Sequence, residues 1–245
     1  IHYTSTYAQT YPGKPVGDFD YSRAGNPTVN TMAKVLADLE YAEYGVAYSS
    51  GCAALNAVLG MLATGDHVIC GDDVYGGTNR MLNRNFVKFG LEVSMIGLTP
   101  ENLDAHIKDN TKLLVFETPT NPTLKILDIE GLSKVAKARG VIVLVDNTFA
   151  SPYLQSPLLL GADMVMHSGT KYLGGHSDVL AGLIATNSKA LYERVHYNLL
   201  ALGGCLSPMD AFILTRSMKT LKVPMKKHFA NSRLIATYLN EHAQV

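Results

Sequence analysis

The chain has 245 residues, with 21 Lys and Arg balancing 21 Asp and Glu, so its formal charge is zero at pH 7 with His neutral. That balance excludes the basic excess of a nucleic-acid binder and the acidic excess of a disordered tail. With 47% hydrophobic and 17% charged residues, it carries enough apolar material for a core of one large domain or two small ones.

Residues 1 to about 43 are polar, aromatic and turn-rich, with Tyr11-Pro12-Gly13, Lys14-Pro15 and Gly25-Asn26-Pro27, and the pattern becomes helical from Thr28 to Glu40. This predicts an arm followed by a helix. From Tyr44 short apolar runs alternate with amphipathic stretches: Tyr44–Ser49, His67–Cys70, Glu92–Ile96, Lys112–Glu117, Val141–Asp146, Met164–Ser168 and Leu180–Thr186. Near-continuous apolar runs rich in β-branched residues, separated by helical patterns, predict strands buried on both faces. The fold class is therefore α/β, a mostly parallel sheet flanked by helices. No internal repeat occurs. Beyond Ser188 the pattern is helical; Pro208 suits the first turn of a helix, and Pro224 is expected to kink or split the stretch that runs to His242. Both ends read as if the chain continued.

Cys52, Cys70 and Cys205 are odd in number and form no CxxC pair, which predicts reduced, core-filling thiols and a cytoplasmic setting. No apolar run approaches the ~18 residues of a membrane span, and no charged-then-apolar leader opens the chain.

In open α/β sheets ligands bind beyond the carboxyl ends of the strands. The residues there are Ser49-Ser50-Gly51-Cys52, Asp72-Asp73-Val74-Tyr75-Gly76-Gly77-Thr78, Glu117-Thr118-Pro119-Thr120-Asn121-Pro122, Asp146-Asn147-Thr148 and Ser168-Gly169-Thr170-Lys171-Tyr172. Ser49 to Cys52 leads from strand into helix, which makes either an ordinary capped helix or a place for a phosphate. The chain contains neither a P-loop nor a GxGxxG fingerprint. Asp146 puts a carboxylate at the rim of a buried strand, where it needs a cation such as a metal or a protonated ring nitrogen. HExxH, a Cys/His cluster and an EF-hand loop are all missing from the sequence, which weighs against a metal. Lys171 follows a buried strand among hydroxyls and glycines; it is either a solvated surface amine or a desolvated one able to form a Schiff base. Ser168 to Lys171 also matches the Ser-x-x-Lys of penicillin-recognising acyl enzymes. Its companions there, Ser-Asp-Asn and Lys-Thr-Gly, are met only by Ser177-Asp178-Val179 and Lys219-Thr220-Leu221, with Ser177 too close behind Lys171.

Taken together, Tyr21-Ser22-Arg23-x-x-Asn26-Pro27-Thr28, Asp73-Val74-Tyr75-Gly76-Gly77-Thr78, Glu117 to Pro122, Val145-Asp146-Asn147-Thr148-Phe149 and Ser168-x-Thr170-Lys171-Tyr172-x-x-Gly175-His176-Ser177-Asp178-Val179 resemble the cystathionine γ-lyase/γ-synthase family. These are pyridoxal 5'-phosphate enzymes of cysteine and methionine metabolism, and the likeness, nearest to the γ-lyase branch, runs along essentially the whole chain. The resemblance implies the aspartate-aminotransferase-like fold (fold type I). Its division would be an arm and helix at 1–43 contacting a neighbouring subunit, a cofactor-binding domain at 44–223, and the start of a C-terminal domain at 224–245. The arginine that grips the substrate α-carboxylate would lie beyond Val245.

The resemblance also implies residue roles. Lys171 would carry the cofactor and move protons, with Tyr75 stacked on the ring and supplying a proton to the leaving thiol. Asp146 would partner the ring nitrogen, and Thr148 would also bind the cofactor. Ser168, Thr170 and the backbone of Gly51 and Cys52 would cradle the phosphate, and Asn121 would lie beside the phenolic oxygen. Tyr21 and Arg23 would reach the phosphate of a second subunit, making a homodimer the catalytic unit within a homotetramer. Glu117 and Arg80 are candidate substrate contacts, Arg80 being equally a surface salt-bridge former. The implied reaction on an amino-acid substrate is α,γ-elimination of cystathionine to cysteine, 2-oxobutyrate and ammonia, with γ-synthase, β-lyase and methionine γ-lyase activities as alternatives. Cys52 replaces the Met or Leu of relatives, where only the backbone N–H is required. Gly77, in place of a cysteine, and Ser177, in place of a glycine, disfavour methionine γ-lyase activity. No metal, nucleic acid or membrane partner is implied.

Overall fold

A computed structural model describes all residues 1–245. In chain order the elements are β1 (Gln9–Tyr11), β2 (Lys14–Pro15), α1 (Pro27–Leu39), β3 (Tyr44–Tyr48), α2 (Gly51–Leu59), β4 (His67–Gly71), α3 (Gly76–Arg80), β5 (Glu92–Ile96), α4 (Pro100–Leu103), β6 (Thr111–Glu117), α5 (Ile129–Ala138), β7 (Ile142–Asp146), α6 (Ser151–Leu154), β8 (Met164–Ser168), β9 (Gly182–Thr186), α7 (Lys189–Leu202), α8 (Pro208–Met218) and α9 (Lys222–Asn240). Seven strands form one sheet in the order β3-β9-β8-β7-β6-β4-β5. Neighbours from β8 to β5 are parallel, and β9 alone runs against both β8 and β3.

Alternation along the strands divides the core into two faces. Val46, Tyr48, Val68, Cys70, Leu113, Val115, Leu144, Met164, Met166 and Ile184 pack with α2 and α7. On the reverse face Ala47, Val165, Leu183 and Ala185 meet α1 and α8, while Ile69, Leu114, Phe116, Val143 and Val145 meet α5. Burial on both sides is why these runs lack a polar stripe. The helices start as their sequences dictate. Asn26 caps α1 by accepting from the N–H groups of Thr28 and Val29, Ser188 caps α7, and Pro208 opens α8 behind Ser207. Pro224 splits the C-terminal stretch as expected: α8 ends at Met218 and Pro224 falls in the first turn of α9, where its missing N–H has no helical partner to lose.

Three sequence expectations are corrected. Cys52 and Cys205 are exposed, and only Cys70 fills the core; the other two sit at a helix start and in a connection, outside the sheet layers. The last strand begins at Gly182, not Leu180, because Leu180 is 65% exposed and the N–H of Ala181 donates to the Thr170 hydroxyl in place of a ladder partner. The arm contains a short antiparallel pair, β1 with β2, where only turns were expected. No helix of the chain is long and apolar enough to cross a membrane. Leu144→Ala, at a fully buried position of the central strand β7, is expected to lower the unfolding free energy by ~2–5 kcal/mol, read as a lower urea midpoint at unchanged slope.

Candidate active site

Three neighbouring parallel strands, β6, β7 and β8, end at Glu117, Asp146 and Ser168. Glu117 and Asp146 are register partners. All three have the parity of Val115, Leu144 and Met166, which pack on α2, so alternation turns their side chains to the α2 side of the sheet. Hydrogen bonds tie the ends together. Thr148 donates its N–H (3.0 Å) and its hydroxyl (2.5 Å) to Asp146 Oδ1, and the same hydroxyl oxygen accepts from the Ser168 N–H at 2.8 Å.

Ser50 caps α2, its hydroxyl accepting from Ala53 N–H at 3.1 Å. The first-turn N–H groups of Gly51 and Cys52 are thereby left without helical partners, at the positive end of the helix dipole. A Cβ on Gly51 would stand 3.1 Å from Ser168 Cβ, and one on Gly182 would overlap the Ser50 carbonyl. Glycine at both positions lets helix start, strand end and β9 converge. The result is a group of free backbone donors faced by the Ser168 hydroxyl, an arrangement suited to an anion.

Lys171 lies on the turn that follows, its N–H donating to Ser168 O at 3.2 Å. Its side chain is exposed, so this chain alone does not supply the desolvation that the sequence reading considered for it. The Thr170 hydroxyl is engaged by Ala181, accepting from its N–H at 3.2 Å. Tyr75, 46% exposed, is held through its N–H, which donates to Glu117 Oε2 at 3.0 Å. Its ring lies where a side chain on Gly77 would collide with it. Asp73 in the same loop accepts from the hydroxyls of Thr120 (2.5 Å) and Thr123. That clasp draws the turn bearing the exposed Asn121 toward the Tyr75 loop.

The arm residues stand elsewhere in the single chain. Arg23 lies 5.1 Å over the Tyr21 ring and donates to the Leu200 carbonyl in α7. Arg80, exposed at the end of α3, joins no ion pair. The structure thus brings together Gly51, Cys52, Tyr75, Glu117, Asp146, Thr148, Ser168 and the Lys171 turn, sets the Arg80 guanidinium beside Gly76, next to Tyr75, and leaves Tyr21 and Arg23 apart. Sequence reasoning missed the Asp73 clasp and a buried group formed by Glu40, His167 and Asn147. A histidine inside the apolar run Met164–Ser168 was the available signal for the latter; nothing in the helix pattern marked Glu40.

Burial lifts Asp146 above the usual carboxylate range, against the hydrogen bonds from Thr148 and the charge of His167. Glu117, 5% exposed, is pushed up to about 7, first by burial and then by the charge of Asp146, with the backbone of Tyr75 and Asn121 opposing. Neither carboxyl has a Lys or Arg partner. The pair therefore demands either a bound proton or an incoming cation.

The profile of the family described as Cys/Met metabolism PLP-dependent enzyme matches residues 1–245. A cystathionine beta-lyase from Lactococcus lactis subsp. cremoris is 48% identical over 240 residues, covering 98% of this chain and 63% of the relative. A probable cystathionine gamma-synthase from Herpetosiphon aurantiacus is 46% identical over 246 residues, 100% of this chain and 77% of the relative. The crystal structure of cystathionine gamma-lyase from Lactobacillus plantarum complexed with L-serine superposes with a TM-score of 0.96 at 43% identity, over 99% of this chain and 64% of that one. The chain thus spans about 63% of the length of the first of these relatives.

Glu117→Gln keeps an acceptor for the Tyr75 N–H and removes the ionisation. Because the folded-state pKa of Glu117, about 7, lies above an unfolded value near ~4.3, its contribution is complete below ~4.3 and is lost as pH rises toward 7. Asp146 acts in the same sense. Urea midpoints measured from pH 4 to pH 8 should therefore fall less steeply in Glu117→Gln than in the wild type; identical slopes would mean that Glu117 titrates alike in the folded and unfolded chain.

Proposed function

The chain belongs to the Cys/Met metabolism PLP-dependent enzyme family, and from that premise we propose that it is the cofactor-binding part of a carbon–sulfur lyase that cleaves cystathionine by α,γ-elimination. The products would be cysteine, 2-oxobutyrate and ammonia. The observation that carries the cofactor half is the two-ended site. A buried carboxyl with no side-chain cation, Asp146, is joined through Thr148 to an anion cradle that a Cβ at Gly51 would crowd. A protonated ring nitrogen at one end and a phosphate at the other answer both demands, so the residues fit pyridoxal phosphate.

Pyridoxal phosphate, when bound, supplies an aldehyde for an amino group and a ring that takes up the electron pair released at Cα. Asp146 would accept the ring N–H and keep the ring cationic. The N–H groups of Gly51 and Cys52 and the Ser168 hydroxyl would hold the phosphate, with Thr170 steadying the turn below. Lys171 Nζ would take the Cα proton and serve the Cβ protons in turn, a general-base role worth roughly 10²–10⁴-fold. The Tyr75 ring would cover the ring face while its phenol protonates the departing sulfur. Asn121 would stand beside the phenolic oxygen and Arg80 at the distal carboxylate of the substrate. Tyr21 and Arg23, on the N-terminal arm, would serve the phosphate of a second copy, so the catalytic unit would be a homodimer within a homotetramer. Residues 44–223 form the cofactor domain in this reading, and 224–245 begin another. Three free thiols suit a cytoplasmic setting.

A second reading is cleavage on the other side of sulfur, favoured by the 48% identity to a relative named beta-lyase. It would yield homocysteine, pyruvate and ammonia. Incubation with cystathionine should give cysteine and 2-oxobutyrate; homocysteine and pyruvate would overturn the first reading in favour of the second. With cofactor added and borohydride applied, the wild type should retain pyridoxyl mass on Lys171. Lys171→Ala should retain none at that peptide and lose turnover by a factor of at least about 10³. Full turnover by Lys171→Ala would sink the assignment.

A further inference from the structure

We propose that Glu40, His167, Asn147 and Gln155 form a buried polar brace on the reverse face of the sheet, and that these positioning residues fix the spacing of Glu117, Asp146 and Ser168. The inference rests on the reading of Asp146 and Ser168 as cofactor contacts. None of the four takes part in the chemistry assigned above.

Glu40 closes α1 and His167 lies in β8, and both are fully buried. Glu40 Oε1 stands 2.5 Å from His167 Nε2 and accepts from Asn147 Nδ2 at 2.9 Å. Asn147 Nδ2 also donates to the Gln155 carbonyl at 3.0 Å. Gln155 Nε2 returns two bonds of 2.9 Å, to Asn147 Oδ1 and to the Thr118 carbonyl. The chain of bonds therefore runs from the end of α1 across the ends of β8, β7 and β6.

Three points along this chain of bonds are one residue from a site residue. His167 precedes Ser168, Asn147 follows Asp146, and Thr118 follows Glu117. Strand alternation puts the two sets on opposite faces. His167 shares the parity of Val165 on the α1 side, and Asn147 and Thr118 extend the rows of Val145 and Phe116. The α2 face thus carries the groups that would meet a ligand, while the reverse face carries the bonds that hold their strand ends in register. Apolar packing resists separation of strands but is weakly directional. Hydrogen bonds of fixed length between buried groups set spacing to the few tenths of an ångström that a preorganised site needs. Glu40 Oε2 and His167 Nδ1 are buried and unbonded, so no further protein group stands at hand to take up a broken link. Loss of one link would leave others unmatched rather than redistributed.

The experiment is a titration of cofactor-stripped protein with pyridoxal phosphate, well below the thermal midpoint, read by absorbance and paired with melting curves. Glu40→Ala should weaken cofactor affinity by about tenfold or more. Glu40→Gln, whose amide oxygen still accepts from Asn147, should stay within about threefold of the wild type. A folded Glu40→Ala protein with wild-type affinity overturns the proposal. So does a shared drop in melting temperature for both Glu40 variants with no change in affinity, the mark of packing alone. Should Glu40→Ala fail to fold, Gln155→Ala decides. This half-buried residue links Asn147 to Thr118, and its loss should weaken affinity by more than about fivefold; affinity within about threefold of the wild type there overturns the brace. A wild-type protein that takes up no pyridoxal phosphate overturns the cofactor reading itself, a result distinct from any difference among variants.

Discussion

Two carboxyl groups lie side by side at the buried ends of β6 and β7, and no cationic side chain meets either of them. Removing an ionised carboxylate from water without a partner is among the largest local penalties a fold can carry. Here the penalty is only partly offset, by Thr148 at Asp146 and by the Tyr75 N–H at Glu117. The remainder appears as a raised proton affinity in both groups. A largely apolar sheet thus tolerates stored electrostatic demand at the ends of two of its strands. That demand is useful only if a cation arrives to meet it, and on the reading proposed above the cation is a ring nitrogen.

The opposite polarity lies next door. The N-terminal end of α2 offers unpaired N–H groups and a partial positive charge, and Gly51 and Gly182 let that end approach Ser168 and β9 within contact distance. On the reading proposed above, a site with a cation-seeking end and an anion-seeking end, bridged by the single hydroxyl of Thr148, would select ligands carrying both charges at fixed separation. A free phosphate would satisfy only the cradle, and a metal ion only the carboxyls. This two-sidedness connects backbone geometry at two glycines to the chemistry at two acids a strand or two away.

Much of this was legible in the sequence. The strands follow from apolar runs because both faces of the sheet are covered, and Asp146, Lys171 and the Ser50–Cys52 turn follow from reading what comes after each run. Pro224 and Pro208 fixed the helix break because proline's missing N–H leaves few places for it. What escaped has one physical cause: it depends on partners distant in the chain. Glu40 meets His167 across 127 residues, and Asp73 meets Thr123 across 50; neither pairing leaves a local period. The Ala181 backbone, captured by Thr170 across 11 residues, shortened β9 for the same reason. Exposure of Lys171, Cys52 and Cys205 was likewise invisible, since an apolar neighbourhood in sequence need not be one in space.

Relatives bearing three different activity names share 43–48% identity with this chain across nearly all of its length. The residues gathered at the strand ends explain why that likeness is indifferent to the name. Holding a phosphate, answering a ring nitrogen and presenting a lysine, the roles proposed above, are demands common to pyridoxal-phosphate reactions that begin by loosening a Cα bond. Whether cleavage then occurs at Cβ or at Cγ depends on groups that touch the substrate's far end. In this chain the candidates for that role, Asn121 and the Tyr75 phenol in loops clasped by Asp73 and Glu117 and Arg80 at the end of α3, are exposed and lie outside the sheet. Chemistry anchored in the core and selectivity carried on loops would let one scaffold change its product with few substitutions.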